Sequence, residues 1–234
     1  MKTIKLLLIE DDVNWGYVIK SIMEDVIGGY EVDLAVNGEE GLEHLRSFTP
    51  DVIVSDIAMP VLNGLEMVKK IRQTDSDLPI VFATGRNTSK DVTVGYEVGA
   101  DNYIKKPFTP EELDAHVKAL INIKNNSKLR LKNTIRKIGK YYTFEPKNFA
   151  LIYNDSEKKL LTARESQILE LLLEHKGEIV KREGILERFW ENADPFFASR
   201  SLDVFITKIR GYLSKDASVS IKNIKQIGLI LDFE

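Results

Sequence analysis

Near its start this chain carries Glu10, Asp11 and Asp12 in a row, and further on Asp56, Thr84 and Lys105. Neighbouring carboxylates repel one another unless a cation neutralises them, and ligands that are all oxygen favour Mg2+ or Mn2+. A lysine and a hydroxyl beside such a cation can hold a tetrahedral anion. These side chains suffice for phosphoryl transfer to a carboxylate, with Asp56 as nucleophile, Mg2+ and Lys105 neutralising phosphoryl oxygens, and Thr84 donating a hydrogen bond. Singly, each has a plainer use. An Asp at a strand end is more often a helix cap or a solvated loop residue, and a lone Lys usually lies on a solvated face.

Whether these residues meet depends on the elements between them. Leu6–Ile9, Val52–Val54, Ile80–Ala83 and Tyr103–Ile104 are continuous apolar runs, as strands buried on both faces require, and Glu31–Val36 is a more polar fifth. The intervening segments Asn14–Val26, Glu39–Ser47, Leu65–Gln73, Lys90–Val98 and Glu111–Ile123 each have the pattern of an amphipathic helix. Five β-then-α repeats predict an α/β fold, a doubly wound five-stranded parallel sheet of the flavodoxin-like kind. In such sheets the site lies beyond the carboxyl ends of the strands. That rule places the three acids after strand one, Asp56 after strand three, Thr84 at the end of strand four and Lys105 at the end of strand five. All fall on one rim.

The runs IEDD (9–12), VSDIAMPVLNG (54–64), Thr84-Gly85 and GADNYIKKPF (99–108) resemble the receiver domain of response regulators, over residues 4–123. The resemblance implies Asp56 as phosphoacceptor. It further implies Asp11, Asp56 and the Ala58 carbonyl as direct Mg2+ ligands, with Asp12 acting through water. Lys105, shortly before Pro107, matches the phosphate-binding lysine of a Lys-Pro pair often joined by a cis bond. Thr84 and Tyr103 match the switch pair, in which the hydroxyl moves toward the phosphoryl group and the aromatic ring turns inward; plain strand packing is the other reading of Tyr103. Ala58 and Arg86, each two residues past a site residue, are expected to tune the lifetime of the phosphoryl group.

Residues 124–138 are polar and basic without a clear apolar stripe, which sets expected boundaries of 1–123 for the receiver, 124–138 for a linker and 139–234 for a second, α+β domain. Residues 1–124 carry 13 Lys/Arg against 21 Asp/Glu, whereas residues 125–234 carry 20 against 15. A basic half suggests a polyanionic partner, although solvated charge explains most such imbalances. In the second half, Thr162-Ala-Arg-Glu165 has the spacing of a helix capping box. Three helices are expected, about Thr162–His175, Arg182–Trp190 and Ser199–Leu213. On the third, Leu202, Ile206, Ile209 and Leu213 form a core stripe. Arg200, Val204, Thr207, Lys208 and Gly211 lie opposite, with Arg210 on the flank, a composition suited to the major groove. A solvated surface helix has a similar make-up.

LTARESQILELLLEHKGEIVKREGILERFW followed by SRSLDVFITKIRGYL is similar to the winged-helix effector domain of OmpR/PhoB-type regulators, over about 139–234. That resemblance implies Arg200, Ser201, Val204, Thr207, Lys208 and Arg210 as DNA contacts, with Asp203 structural. Phe205 packs inward or makes a protein contact, and both remain open. Lys225-Gln-Ile-Gly-Leu229 keeps the turn glycine of the wing but lacks its arginine and tyrosine, so Lys222 or Lys225 would make the phosphate contact and readout of narrow A·T grooves would be weaker. Residues 191–198, which hold Phe196 and Phe197, match the loop that contacts RNA polymerase in the family; ordinary loop packing is the alternative. Lys90, Asp101, Asn102 and His116 fall where activated receivers of this subfamily pair, but Asn102 and His116 replace a usual acid and arginine, and Val92 stands where a basic residue is common. Exposed ion pairs contribute only about 0–1 kcal/mol each, so a homodimer through this face is expected with altered dependence on phosphorylation.

The expected function is thus that of a two-component response regulator. Its partners would be a sensor histidine kinase and double-stranded DNA at direct or inverted repeats. The chemistry would be limited to Mg2+-dependent self-phosphorylation and autodephosphorylation. A Mg2+-dependent small-molecule phosphatase is a rival, opposed by the order of acids along the chain and by the lack of a cap insertion. A DNA-binding regulator that acts without phosphorylation is another. With no cysteine and three scattered histidines, thiolate metal sites, disulfides and cysteine nucleophiles are excluded. The N-terminal apolar run is too short for a signal peptide and no run reaches the roughly 18 apolar residues of a membrane span, so a cytoplasmic protein without a membrane partner is expected.

Overall fold

The computed structural model describes residues 3–75, 77–85, 88–130, 135–191 and 193–234, with backbone alone at 89 and 126–130. The chain divides into two compact units, Met1–Asn122 with Asn192–Phe197, and Ile123–Glu191 with Ala198–Glu234. In the first, β1 (Ile4–Ile9), β2 (Tyr30–Ala35), β3 (Val52–Ser55), β4 (Ile80–Thr84) and β5 (Asn102–Lys105) alternate with α1 (Val13–Ser21), α2 (Gly38–His44), α3 (Gly64–Thr74), α4 (Ser89–Val98) and α5 (Pro110–Arg130). A π-helical stretch, Ile22–Ile27, continues α1. The strands form one sheet in the order β2-β1-β3-β4-β5, with every neighbouring pair parallel.

The apolar runs predict this architecture because parallel strands are covered on both faces. Leu6, Leu8, Val52, Val54, Val81 and Ala83 pack with Ile19, Met23, Val117 and Leu120 from the α1 segment and α5. The alternate residues Leu7, Ile9, Ile53 and Phe82 are equally buried. Burying each such Leu, Ile or Val contributes about 1.5–3 kcal/mol relative to exposing it. Polar caps start the helices: Asp12 accepts from Trp15 N at 3.1 Å, Asn63 from Glu66 N at 3.0 Å and Thr88 from Asp91 N at 3.2 Å. Gly64 opens α3 where a Cβ would lie 2.2 Å from the Asp56 carbonyl oxygen. Lacking one, α3 closes directly onto the loop that presents Asp56.

In the second unit, β6 (Arg136–Ile138), β7 (Tyr142–Glu145), β8 (Ala150–Tyr153) and β9 (Glu157–Leu160) form an antiparallel sheet in chain order. Then come α6 (Ala163–Glu174), β10 (Val180–Lys181), α7 (Arg182–Trp190), α8 (Pro195–Leu213), β11 (Ser220–Ile224) and β12 (Gly228–Asp232). The last two strands make a hairpin that β10 joins, in the order β10-β12-β11. The capping box of α6 is present in both directions. The polar basic segment is not all linker: α5 continues through it to Arg130, and residues 136–138 pair with β7. α8 begins at Pro195 rather than Ser199, because Asp194 accepts from Phe196 N at 2.8 Å and proline suits a first helical turn. Phe196 and Phe197 therefore lie in a helical turn, Phe196 exposed and Phe197 buried.

Candidate functional sites

At the carboxyl rim of the parallel sheet, carboxylate oxygens of Glu10, Asp11 and Asp56 all lie within 4.8 Å of one another. Glu10 is buried, Asp56 half-buried and Asp11 exposed. Asp12 is not among these three, and its Oδ1 caps α1. The acidic pair is thus Glu10-Asp11, one position earlier than the expected Asp11-Asp12. Asp56 Oδ1 accepts from Ile57 N at 2.5 Å and from Ala58 N at 3.2 Å, so the loop's own amides orient it. Ala58 is exposed beside it.

The lysine at the site is Lys106, not Lys105. Its Nζ lies 2.6 Å from both Asp56 Oδ2 and Glu10 Oε2. Lys105 pairs with Thr84 as the last residue of β5 and its side chain is exposed. Lys106 N then donates to Thr84 O at 3.0 Å, which carries the ladder one residue further. Alternation along the strand sends the two lysine side chains to opposite sides. The Lys106-Pro107 peptide is cis. Burial pushes the Glu10 carboxyl up, against the opposing pull of the Lys106 ammonium. For Lys106, burial works against the charge, but hydrogen bonds to Asp56 and Glu10 outweigh it and leave its pKa raised. Both effects describe acids crowded around one cation.

Thr84 is buried at the end of β4. Tyr103 is buried too, its ring 5.4 Å from that of Phe82 and 5.0 Å from that of Tyr96, with its hydroxyl donating to Asp91 O at 3.2 Å. Arg86 lies outside the described residues. Three of the four residues expected on a dimer face are interior. Asp101 is buried and accepts from Arg72 Nη2 at 2.9 Å and Ile80 N at 2.9 Å. Asn102 and His116 are buried together, Nδ2 to Nδ1 at 2.9 Å. Asn102 Oδ1 already accepts from Tyr103 N at 2.8 Å, so the Asn102 amide must donate to His116, which fixes Nδ1 as an acceptor and the ring as neutral. Burial depresses the His116 pKa, with Glu112 opposing. In this chain the residues at 102 and 116 thus pair with each other inside the receiver unit. Lys90 is exposed, and Val92 is fully buried.

On α8 the exposed face holds Arg200, Asp203, Thr207 and Gly211. Ser201 and Val204 are buried, contrary to their expected place on the DNA side. The apolar stripe is wider than Leu202, Ile206, Ile209 and Leu213, because Val204 and Phe205 join it; Phe205 is fully buried, with its ring 5.9 Å from that of Trp190. Lys208 turns inward to Glu165 at 2.5 Å, where Glu165 is almost fully enclosed and also accepts from Tyr212 Oη at 3.1 Å. Arg210 donates to Ile221 O at 2.9 Å and to Asn223 Oδ1 at 2.7 Å, tying α8 to the hairpin. Neither cation points freely outward. Asp203 pairs with Arg182 at 2.8 Å, and Arg182 also donates to Ser199 O and Oγ. Arg182 was not singled out from the sequence, and only its distance along the chain from α8 hid it. On the hairpin, Lys222 and Lys225 are exposed, and the turn passes through Gln226 at φ 60°.

Residues 6–118 match the family described as response regulator receiver domain, and residues 156–231 match transcriptional regulatory protein, C terminal. The transcriptional regulatory protein RprY of Bacteroides fragilis is 35% identical over 221 residues, covering 94% of this chain and 91% of its own length. The chain belongs to the OmpR/PhoB-type response regulators. It is similar also to the alkaline phosphatase synthesis transcriptional regulatory protein PhoP of Bacillus subtilis, at 30% identity over 236 residues, 97% of this chain and 96% of the relative. A solved structure of a RitR mutant covers 98% of this response regulator and 99% of its own chain with a TM-score of 0.74; at 21% identity it shows the fold alone. The regulator is a two-component transcription factor with a winged-helix DNA-binding domain. Its receiver implies a histidine kinase and its C-terminal domain implies DNA. Among the described residues, no helix is long and apolar enough to cross a membrane.

Proposed function

We propose that phosphorylation of Asp56 by a sensor histidine kinase controls sequence-specific DNA binding by the C-terminal domain. The observation that carries this reading is the Lys106 ammonium set 2.6 Å from both Asp56 and Glu10. A cation so placed neutralises the nucleophile's neighbourhood and is in reach of oxygens on a phosphoryl group attached to Asp56. Glu10, Asp11 and Asp56 would hold Mg2+, as their clustered oxygens suit a hard divalent cation. Bound there, Mg2+ supplies charge neutralisation for the entering phosphoryl oxygens. The Ile57 and Ala58 amides hold Asp56 Oδ1, leaving Oδ2 on the Lys106 side as the attacking atom. Thr84, the last residue of β4 at the rim, would donate a hydrogen bond to the new group, and the buried Tyr103 ring would respond. On the DNA side, Arg200 and Thr207 would meet the major groove while Lys222 and Lys225 meet phosphates.

Genome-wide occupancy of wild type and Asp56→Ala, compared at fixed salt, tests the proposal. Specific sites that lose occupancy in the variant are expected. Equal occupancy would leave a DNA-binding regulator that works without phosphorylation, and an absence of specific sites would remove the transcription-factor reading.

A further inference from the structure

The middle of α4 contains a glycine where helix propensity argues against one. An ideal Cβ on Gly95 would lie 1.6 Å from Tyr103 Oη, 2.6 Å from its Cζ and 2.9 Å from its Cε2. A whole edge of the phenol thus occupies the volume that any side chain at position 95 would need. The ring is fully enclosed there, flanked by Phe82 and Tyr96, and its hydroxyl donates to the backbone carbonyl of Asp91, one helical turn before Gly95. Gly95 itself is buried.

We propose that Gly95 is a positioning residue for Tyr103, providing the slot in α4 that holds the ring in its buried rotamer. Whatever fills that slot sets the balance between the buried ring and a displaced one. Because α4 and β5 are joined through the same phenol, the balance also governs how a change at Thr84 reaches the surface of α4. The second half of this statement rests on the phosphorylation switch proposed above. The first half rests on packing alone.

Four full-length chains separate the outcomes: wild type, Gly95→Ala, Tyr103→Leu and the double variant. If Gly95 served only as an ordinary helix residue, alanine would raise the melting temperature of the receiver transition in both backgrounds. The slot predicts a reversal of sign. Alanine should lower the melting temperature beside the native Tyr103 and raise it in the Tyr103→Leu background, where the shorter side chain no longer reaches the slot. Fluorine NMR of fluorotyrosine-labelled chains, with the Tyr103 signal assigned by its loss in Tyr103→Phe, should show that signal moving to a solvent-exposed position in Gly95→Ala. Treated with a small-molecule phosphodonor, Gly95→Ala should accept phosphate at Asp56 within about twofold of the wild-type rate while losing several-fold of the phosphorylation-stimulated DNA affinity.

Equal stabilisation by alanine in both backgrounds, or an unmoved Tyr103 signal, overturns the proposal. Should Gly95→Ala fail to fold, a folded double variant supports the slot and an unfolded one overturns it. If wild type shows no phosphorylation-dependent DNA binding, the function proposed above falls, and the melting and fluorine results alone decide the slot.

Discussion

Lys106 is the cation on which the acidic cluster depends, since its ammonium touches two carboxylates at 2.6 Å. Removing it leaves their repulsion to Mg2+ alone. Lys106→Ala is expected to bind Mg2+ more tightly and to slow phosphorylation of Asp56 roughly a hundredfold, the scale of one lost electrostatic donor. Lys105→Ala should match wild type in both, measured by Mg2+ titration and by phosphate incorporation. Likewise Asp12→Ala should cost about 1 kcal/mol of stability through the lost cap while leaving Mg2+ affinity within about twofold. Glu10→Gln should weaken Mg2+ binding severalfold, and calorimetric titration checks both variants. These two pairs mark the limit of what was legible at this scale. The types and the rim were readable from the strand pattern, but a strand's last residue and the one after it point to opposite sides. An error of one position exchanges Lys105 for Lys106, and the ladder bond from Lys106 N to Thr84 O settles which of the two turns inward; Asp12 was separated from Glu10 only by its part in the α1 cap, which the strand pattern does not show.

Between elements, buried polar pairs do the joining. Asn102 and His116 link β5 to α5, and the amide's second bond keeps the ring neutral. Because burial lowers the folded-state pKa below the usual 6.5, the unfolded chain takes up the proton more readily. Stability from this site is therefore fully present above about pH 6.5 and is lost as pH falls below it, by about 1.4 kcal/mol for each tenfold difference in proton affinity between the two states. Chemical denaturation at pH 7.5 and 5.5 should show that loss in wild type, and His116→Gln should flatten the difference. In the second unit, Lys208→Ala removes the cation beside the enclosed Glu165 carboxylate, which keeps its bonds from Tyr212 Oη and Thr162 N, and should destabilise the fold by about 1–3 kcal/mol. Thermal melting of the variant checks this. The helices themselves were legible from their periodicity, as was the α6 capping box. Facing partners were not: Glu165 lies far along the chain from Lys208, and a helical wheel of α8 alone assigns any cation off the apolar stripe to solvent.

Across the whole molecule, charge is divided, acidic in the first half of the chain and basic in the second. DNA affinity should accordingly fall steeply with salt. Exposed Arg200, Lys222 and Lys225 alone imply a slope of about −3 in log affinity against log salt for each copy, and Arg200→Ala should reduce it by about one. Fluorescence anisotropy at several ionic strengths measures both. The charge division was legible from composition and the receiver's architecture from its β-then-α repeats, whereas the winged-helix architecture came from the resemblance carried by residues 161–190 and 199–213. The start of α8 at Pro195 was not, since Asp-Pro-Phe-Phe reads as a loop until Asp194 is seen to cap it. On α8, Lys208 and Arg210 maintain Glu165 and the hairpin, whereas Arg200, Thr207 and Gly211 are the exposed positions among those expected to face DNA. Anyone retargeting this regulator to a new operator would thus have a short alphabet to vary. Libraries that randomise the basic residues indiscriminately would return misfolded clones in place of altered specificities.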